Sequence, residues 1–244
     1  MALALGARVD LVTGISDDYD RSVFDGVNVL PVEDGESARY ANSYDAKGDR
    51  TQLLLAEGSP IDARAIPVDG ADAYMFAPAY HEFSSIPKLK TGKIGVSLQG
   101  ALRSTGENNR VVPHPDPIGQ AKPFMRAGAF VFLSEEDTAD AATLSRFVAS
   151  KGAVVLLTRG YRGAVMFEAG RERTFGAIPG DSIDPTGAGD CFSMAFLVRM
   201  AESGDLRESC HFALAAGSLA VEALGIDGIP SRAAVKARLE RLVA

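Results

Sequence analysis

The feature that most restricts how this chain can fold is the alternation, from about residue 70 onward, of short β-prone apolar runs with longer amphipathic ones. Strands are predicted at Ala73–Ala77, Ile94–Leu98, Ala129–Leu133 and Val154–Thr158. Between them, Asp116-Pro117 reads as an N-cap followed by proline at the first helical position. Ser134-Glu135-Glu136-Asp137 is expected to open the next helix, whose apolar face includes Leu144, Phe147 and Val148. Gly163–Phe167 and Arg173–Phe175 read as an antiparallel pair, and three helices near 187–203, 206–223 and 231–243 close the chain. In the last of these, Val235, Leu239 and Leu242 share a face. Strands alternating with helices imply an α/β layered sheet flanked by helices. The 244 residues suit a single domain, 1–244, with a small appendage.

The appendage is predicted at about 27–57. Val27–Val32, Ala38–Tyr44 and Thr51–Ala56 are β-prone, separated by Gly, Asp and Asn turns, with no helical pattern between them. They read as a small antiparallel sheet. Tyr40, Asn42, Tyr44 and Arg50 give it a polar, aromatic texture that fits either a substrate-facing surface or solvent-facing strand pairs. Ahead of it, Met1–Leu5 are helix formers, Gly6 is placed like a helix-ending glycine, and Arg8–Thr13 read as a short strand. A helical stub of that length cannot nucleate alone, so a preceding strand–helix unit is expected to be missing or supplied in an unusual way.

Composition excludes several classes. A net charge of −7 leaves no surplus of Lys and Arg for general nucleic-acid binding. Two cysteines, Cys191 and Cys210, and three histidines, His81, His114 and His211, form no metal-ligand spacing and no disulfide framework. The expectation is two buried free thiols in a cytoplasmic protein. No apolar run approaches membrane-spanning length, and Met1–Leu5 lack the basic flank of a signal peptide.

The chemistry concentrates at Asp184-Pro185-Thr186-Gly187-Ala188-Gly189-Asp190, between a turn and an apolar helix. Gly187 and Gly189 remove side chains where a backbone must approach a ligand closely. The helix that follows directs unpaired N–H groups and its positive dipole end to that point, which suits phosphate oxygens and an anionic transition state. Asp190, in the first turn, is placed to accept a proton from an attacking hydroxyl. An acidic residue in the first turn of an ordinary helix is the plainer reading of the same residues. The pattern is neither a P-loop nor a dinucleotide fingerprint, since the chain contains no GxxxxGK[ST] or GxGxxG.

Residues 184–197, DPTGAGDCFSMAFL, resemble the C-terminal signature of the ribokinase-like (PfkB) carbohydrate kinases, with Pro185 where Thr is commoner and Met194 where a small residue is usual. The resemblance implies Asp190 as general base and Gly187, Ala188 and Gly189 as an anion hole for the transferred phosphoryl group. It implies ATP and Mg2+ as cofactors and a small sugar, polyol or nucleoside as partner. Leu157–Gly163 resembles the family's strand-end loop by the nucleotide, which would put Thr158, Gly160 and Gly163 near ATP, with Thr186. The stretch 212–225, including Gly217, resembles the helix beside the adenine, although small residues there equally suit close helix packing. Ser134–Asp137 aligns with a segment that orders magnesium, implying a role for Asp137. The same residues satisfy a capping-box pattern. Asp184 and Thr186 match positions that bind a monovalent cation, K+, in some members. The region 27–57 corresponds to the lid over the sugar, with Asn42 and Arg50 toward the acceptor. Ile94–Arg103 is similar to a subgroup related to inositol kinases, which would place Gln99 and Arg103 between substrate and nucleotide; a surface loop is the competing reading.

The resemblance covers nearly the whole chain but not the family's usual opening strand and Gly-Gly segment. Three expectations follow: a truncated kinase, a short form with a different acceptor, or a catalytically silent nucleotide- or metabolite-binding protein. A lost central strand would expose sheet edges that a homodimer would cover.

Overall fold

A computed structural model describes residues 1–32, 35–44 and 50–241, with the side chains of Tyr44 and Arg50 outside the description. The strands are β1 (Asp10–Thr13), β2 (Asn28–Pro31), β3 (Arg39–Tyr44), β4 (Arg50–Ala56), β5 (Ala73–Phe76), β6 (Lys93–Ser97), β7 (Arg103–Thr105), β8 (Val111–Pro113), β9 (Phe130–Ser134), β10 (Val154–Thr158), β11 (Ala164–Glu168) and β12 (Arg171–Phe175). The helices are α1 (Pro117–Ala121), α2 (Ala141–Ala149), α3 (Ala188–Ser203), α4 (Leu206–Ala220) and α5 (Arg232–Glu240).

A mixed sheet of order β12-β11-β10-β9-β6-β5 organises the chain. β5, β6, β9 and β10 run parallel, while β10–β11 and β11–β12 are antiparallel, as the sequence predicts for the last pair. The strands are apolar on both faces because both are covered. Val131, Leu133, Val155 and Leu157 pack with Leu144 and Val148 of α2. The alternate residues Phe130, Phe132 and Leu156 pack with Phe192 and Phe196 of α3, Phe212 of α4 and Val235 of α5. The Leu3–Leu5 turn, closed by Gly6, joins this second layer. Leu5 is fully buried, and its carbonyl accepts the Arg232 Nε–H at 2.7 Å. Among the described residues, no helix is long and apolar enough to cross a membrane.

Three local expectations are corrected. The run at 27–32 does not join an antiparallel sheet: β2 pairs in parallel with β1, with Asn28 opposite Asp10 and the two side chains hydrogen-bonded at 2.8 Å. Strand texture alone carries no direction, and residues 14–27 supply the crossover that a parallel pair requires. Among the described residues of 27–57, the antiparallel pairing is that of β3 with β4, and Leu53 of β4 adds a single antiparallel bridge to Arg110. Nor does a helix open at Ser134. There the Asp137 carboxylate accepts the Ser134 N–H (2.7 Å) and the Ser134 hydroxyl accepts the Glu136 N–H (3.2 Å). The bonds of a capping box close as a turn, and α2 begins at Ala141, capped by Asp140. α4 and α5 end at Ala220 and Glu240, short of the predicted ends, and Leu242 lies outside the described residues.

Phe196 is fully buried, with its ring centroid 5.3 Å from Phe130 and 5.5 Å from Phe132. Phe196→Ala is expected to cost about 3–5 kcal/mol, read as a lower urea midpoint with unchanged slope.

Candidate active site

The carboxyl ends of the parallel strands collect the loops that matter. In register, Ser97 of β6 faces Phe132, and Ser134 of β9 faces Thr158 of β10, so the chain leaves all three strands along one edge. After β6 the chain makes a buried turn: the Leu98 N–H reaches the Phe132 carbonyl and the Leu102 N–H the Leu98 carbonyl, both at 2.9 Å. Leu98, Ala101 and Leu102 are almost fully enclosed. Gln99 and Arg103 are therefore delivered by a packed turn, and the surface-loop alternative is excluded. Ala201, near the end of α3, borders the same groove as Asp72 and Lys93 at the amino ends of β5 and β6. The start of α3 thus stands at the opposite, carboxyl edge.

That helix start is built differently from the others. Side chains cap α1 (Asp116), α2 (Asp140), α4 (Asp205) and α5 (Ser231), whereas α3 is preceded by Gly187 with no side-chain cap. Gly187 takes φ +80°, a left-handed conformation costly for other residues. First-turn N–H groups have no intrahelical acceptor, so this end carries partial positive charge and presents donors, with the Ala188 N–H also reaching the Pro185 carbonyl at 3.3 Å. No atom lies within 4 Å of where a Cβ on Gly189 would stand, so the approach is open. Asp184 fixes the turn: its carboxylate accepts the Thr186 N–H (2.9 Å) and the Gly225 N–H (3.0 Å), and these bonds hold it below the ordinary carboxylate range.

Asp190 is open to solvent yet crowded by protein, and the crowding raises its carboxyl above the usual pKa; the Arg103 guanidinium opposes that shift. Asp137 is also raised by burial, against the Ser134 N–H, a long 3.5 Å contact from Gln99 and the charge of Arg103. Arg103 therefore acts on both carboxylates. Its Nη1 donates to the Ala79 carbonyl at 3.0 Å, and its guanidinium lies 4.9 Å from the Tyr40 ring centre. A cavity of about 130 Å³ opens here, bordered by Gln52, Gln99, Arg103, Arg110, Glu136 and Asp137 among others.

On the other side of the edge, Thr158 donates to the Leu133 carbonyl at 3.3 Å, and Gly160 (φ +52°) has open space around it. Arg159 between them has an enclosed Nε without a partner. Gly163 does a different job. A methyl there would stand 2.1 Å from the Phe175 carbonyl oxygen at φ +86°, so the glycine lets β11 enter beside β12. A Cβ on Gly217 would make ordinary contacts with the Ala188 carbonyl (3.6 Å) and Phe192, so Gly217 sits against the start of α3. Ile183, Leu224 and Ile226 are large, apolar and exposed, and their loops are tied together by Ile183 N–H to Val221 and by Asp184 to Gly225. Burial raises both thiols, Cys210 to about 12, which leaves neither reactive.

The pfkB family carbohydrate kinase pattern matches residues 126–232. Ribokinase of Bacillus subtilis (strain 168) is 35% identical over 95% of this chain and 81% of its own length. The chain belongs to the pfkB family of carbohydrate kinases. Cytidine kinase of Thermococcus kodakarensis is 26% identical over 87% of this chain and 81% of its length. Arabidopsis thaliana ribokinase, solved with ribose and ATP, has the same fold, with TM-score 0.69 at 18% identity, covering 98% of this chain and 84% of that one. As a family member the chain is a kinase that phosphorylates an alcohol group.

In this pfkB kinase Gln99, Arg103 and Asp137 border one cavity, and the charge of Arg103 reaches Asp190 at the start of α3, where Gly187, Ala188 and Gly189 lead into it. Thr158 and Gly160 share the edge but lie on β10's side of it. Asn42 does not border the cavity; it accepts the Gln52 amide at 2.8 Å, and Gln52 does. The Arg50 side chain lies outside the described residues. Sequence reading missed Gln52, Arg110 and Arg159. Alternation back from buried Leu54 along β4 puts Gln52 on the inward face, a signal that was available. Two of the three histidines bond to backbone: His81 Nε2 lies 2.8 Å from the Arg103 carbonyl, and His114 Nδ1 accepts the Asp116 N–H.

Gly163→Ala is expected to lower stability by at least ~2 kcal/mol through left-handed strain and the Phe175 clash. Thermal unfolding checks it, and the loss is expected whether or not nucleotide is present.

Proposed function

We propose that this enzyme transfers the γ-phosphoryl group of ATP to a hydroxyl of a sugar, polyol or nucleoside, with Asp190 as general base. One observation carries the reading: Asp190 lies in the first turn of a helix left without a side-chain cap, within the field of Arg103. Asp190 takes the acceptor's hydroxyl proton as that oxygen bonds to phosphorus and the bond to the ADP oxygen breaks. The 187–189 backbone and Arg103 counter the negative charge on the phosphoryl oxygens. The raised pKa of Asp190 suits proton acceptance, because a base poised nearer neutrality transfers protons more effectively.

The β3–β4 hairpin serves as the lid, with Gln52 facing the acceptor. Its closure excludes water as a competing phosphoryl acceptor. Exposed Ile183, Leu224 and Ile226 offer an apolar wall that suits the nucleobase of ATP, and Arg159 adds a cation at the loop carrying Thr158 and Gly160. Among the described residues no three acidic, histidine or cysteine groups cluster as a metal cage. That fits Mg2+ carried on the triphosphate, with waters retained and Asp137 as its protein contact. Bound there, Mg2+ would neutralise phosphate charge. A K+ ion at Asp184 and Thr186 would share carboxylate oxygens that already accept one N–H each.

Asp190→Asn is expected to lower kcat by about 10²–10⁴-fold while leaving ATP affinity within about threefold. An acceptor panel with coupled ADP detection checks it, and equal rates in parent and variant overturn the assignment. The sign of the pH dependence follows from the raised pKa. Activity is full above that pKa and falls as pH drops through it, at a midpoint above the reference value of 3.8.

A further inference from the structure

The guanidinium of Arg103 is held by more than its own turn. Tyr40, on β3 of the hairpin, puts its ring 4.9 Å from the Arg103 Cζ. The Tyr40 hydroxyl donates to the Ala79 carbonyl at 2.7 Å, and Arg103 Nη1 donates to the same oxygen at 3.0 Å. One carbonyl thus receives both partners of a cation–π pair. The carbonyl itself is fixed: the next residue's N–H, Tyr80, reaches Glu82 Oε2 at 2.8 Å, and His81 contacts the Arg103 carbonyl from the same loop. We infer that Tyr40 is a positioning residue through which the β3–β4 hairpin sets where the Arg103 charge sits relative to Asp190, so that hairpin placement and readiness for phosphoryl transfer are coupled.

The inference rests on the proposed role of Asp190, but its geometry stands apart from it. Cation–π attraction over a half-buried ring is stronger than at an exposed one, and it biases a long arginine side chain among its rotamers. The charged and titratable groups facing this pair are Glu82, Tyr80 and His81 from the 77–82 loop, Arg110 on the shared cavity, and Asp137 and Asp190 across the cleft; Glu136 flanks Asp137 and Cys191 flanks Asp190. Arg103 lowers the Asp190 pKa against burial. A hairpin without the Tyr40 ring leaves the guanidinium free to move off, and the carboxylate then titrates higher.

The test uses the full chain, Tyr40→Leu and Tyr40→Phe, with two readouts. The first is the pH–rate profile with whichever acceptor the parent phosphorylates. Tyr40→Leu is expected to lower kcat at least about tenfold at pH 6, with KM for ATP within about twofold, and to move the acid limb upward by at least half a pH unit. Tyr40→Phe, which keeps the ring and loses the bond to Ala79, is expected to fall between. The second readout is titration of the Asp190 carboxyl by 13C NMR, which needs no turnover and is expected to move upward in the same order. Unchanged acid limb and titration in both variants overturn the coupling. A fall in kcat with no movement of either midpoint overturns it equally, since general loosening of the fold produces that result. If Tyr40→Leu does not fold, the Tyr40→Phe titration decides alone. A parent inactive on every acceptor overturns the proposed function, and the titration still decides the coupling.

Discussion

The parallel register of β6, β9 and β10 is the constraint on which the rest of the structure depends. Each strand is buried on both faces, so a slip of one residue would swap the residues facing α2 with those facing α3. Phe130 and Phe132 fit the aromatic layer around Phe196, whereas Val131 and Leu133 fit the α2 side. This fixes where each strand ends, and with it the position of Thr158 at the end of β10 and the starting points of the turns carrying Gln99 and Asp137. The site inherits its precision from a core that contains none of its residues.

Over that edge, two opposing effects set the character of the carboxylates. Crowding by protein disfavours the ionised forms of Asp190 and Asp137, and Arg103 partly restores them. Crowding alone would raise both carboxyls further. Arg103 is shared between them, its guanidinium anchored on a backbone oxygen and an aromatic ring.

Much of this architecture was legible in the residues, and the exceptions have physical causes. The strand–helix alternation, the antiparallel end of the sheet and the Gly187–Asp190 turn follow from local texture, because burial and turn chemistry leave marks within a few residues. The direction of β2 left no such mark, since pairing partners are chosen by tertiary packing. Ser134–Asp137 misled because the same two side-chain bonds close either a helix start or a free turn. The contacts of Tyr40 could not be read at all. Its partners, Ala79 and Arg103, lie on distant loops, and only the folded sheet brings them together. Asn42 was noticed for its polarity, yet the residue bordering the cavity is Gln52 beside it.

The sheet also divides the chain by the separation of its contacts. From β9 through β12, each strand pairs with the one that follows it in sequence, through one helical crossover (135–153) and two short connections, so this segment is held by contacts of modest separation. The hairpin meets its anchor across 39 residues, through Tyr40 and Ala79, and Leu5 meets Arg232 across 227. Such contacts are entropically expensive to form early. Contact separation therefore predicts a folding nucleus within the 130–175 segment, with the hairpin and the chain's first turn docking later. Substitutions in those late-docking parts act mainly on the unfolding rate. The catalytic edge can then vary its hairpin without altering how the scaffold beneath it first forms.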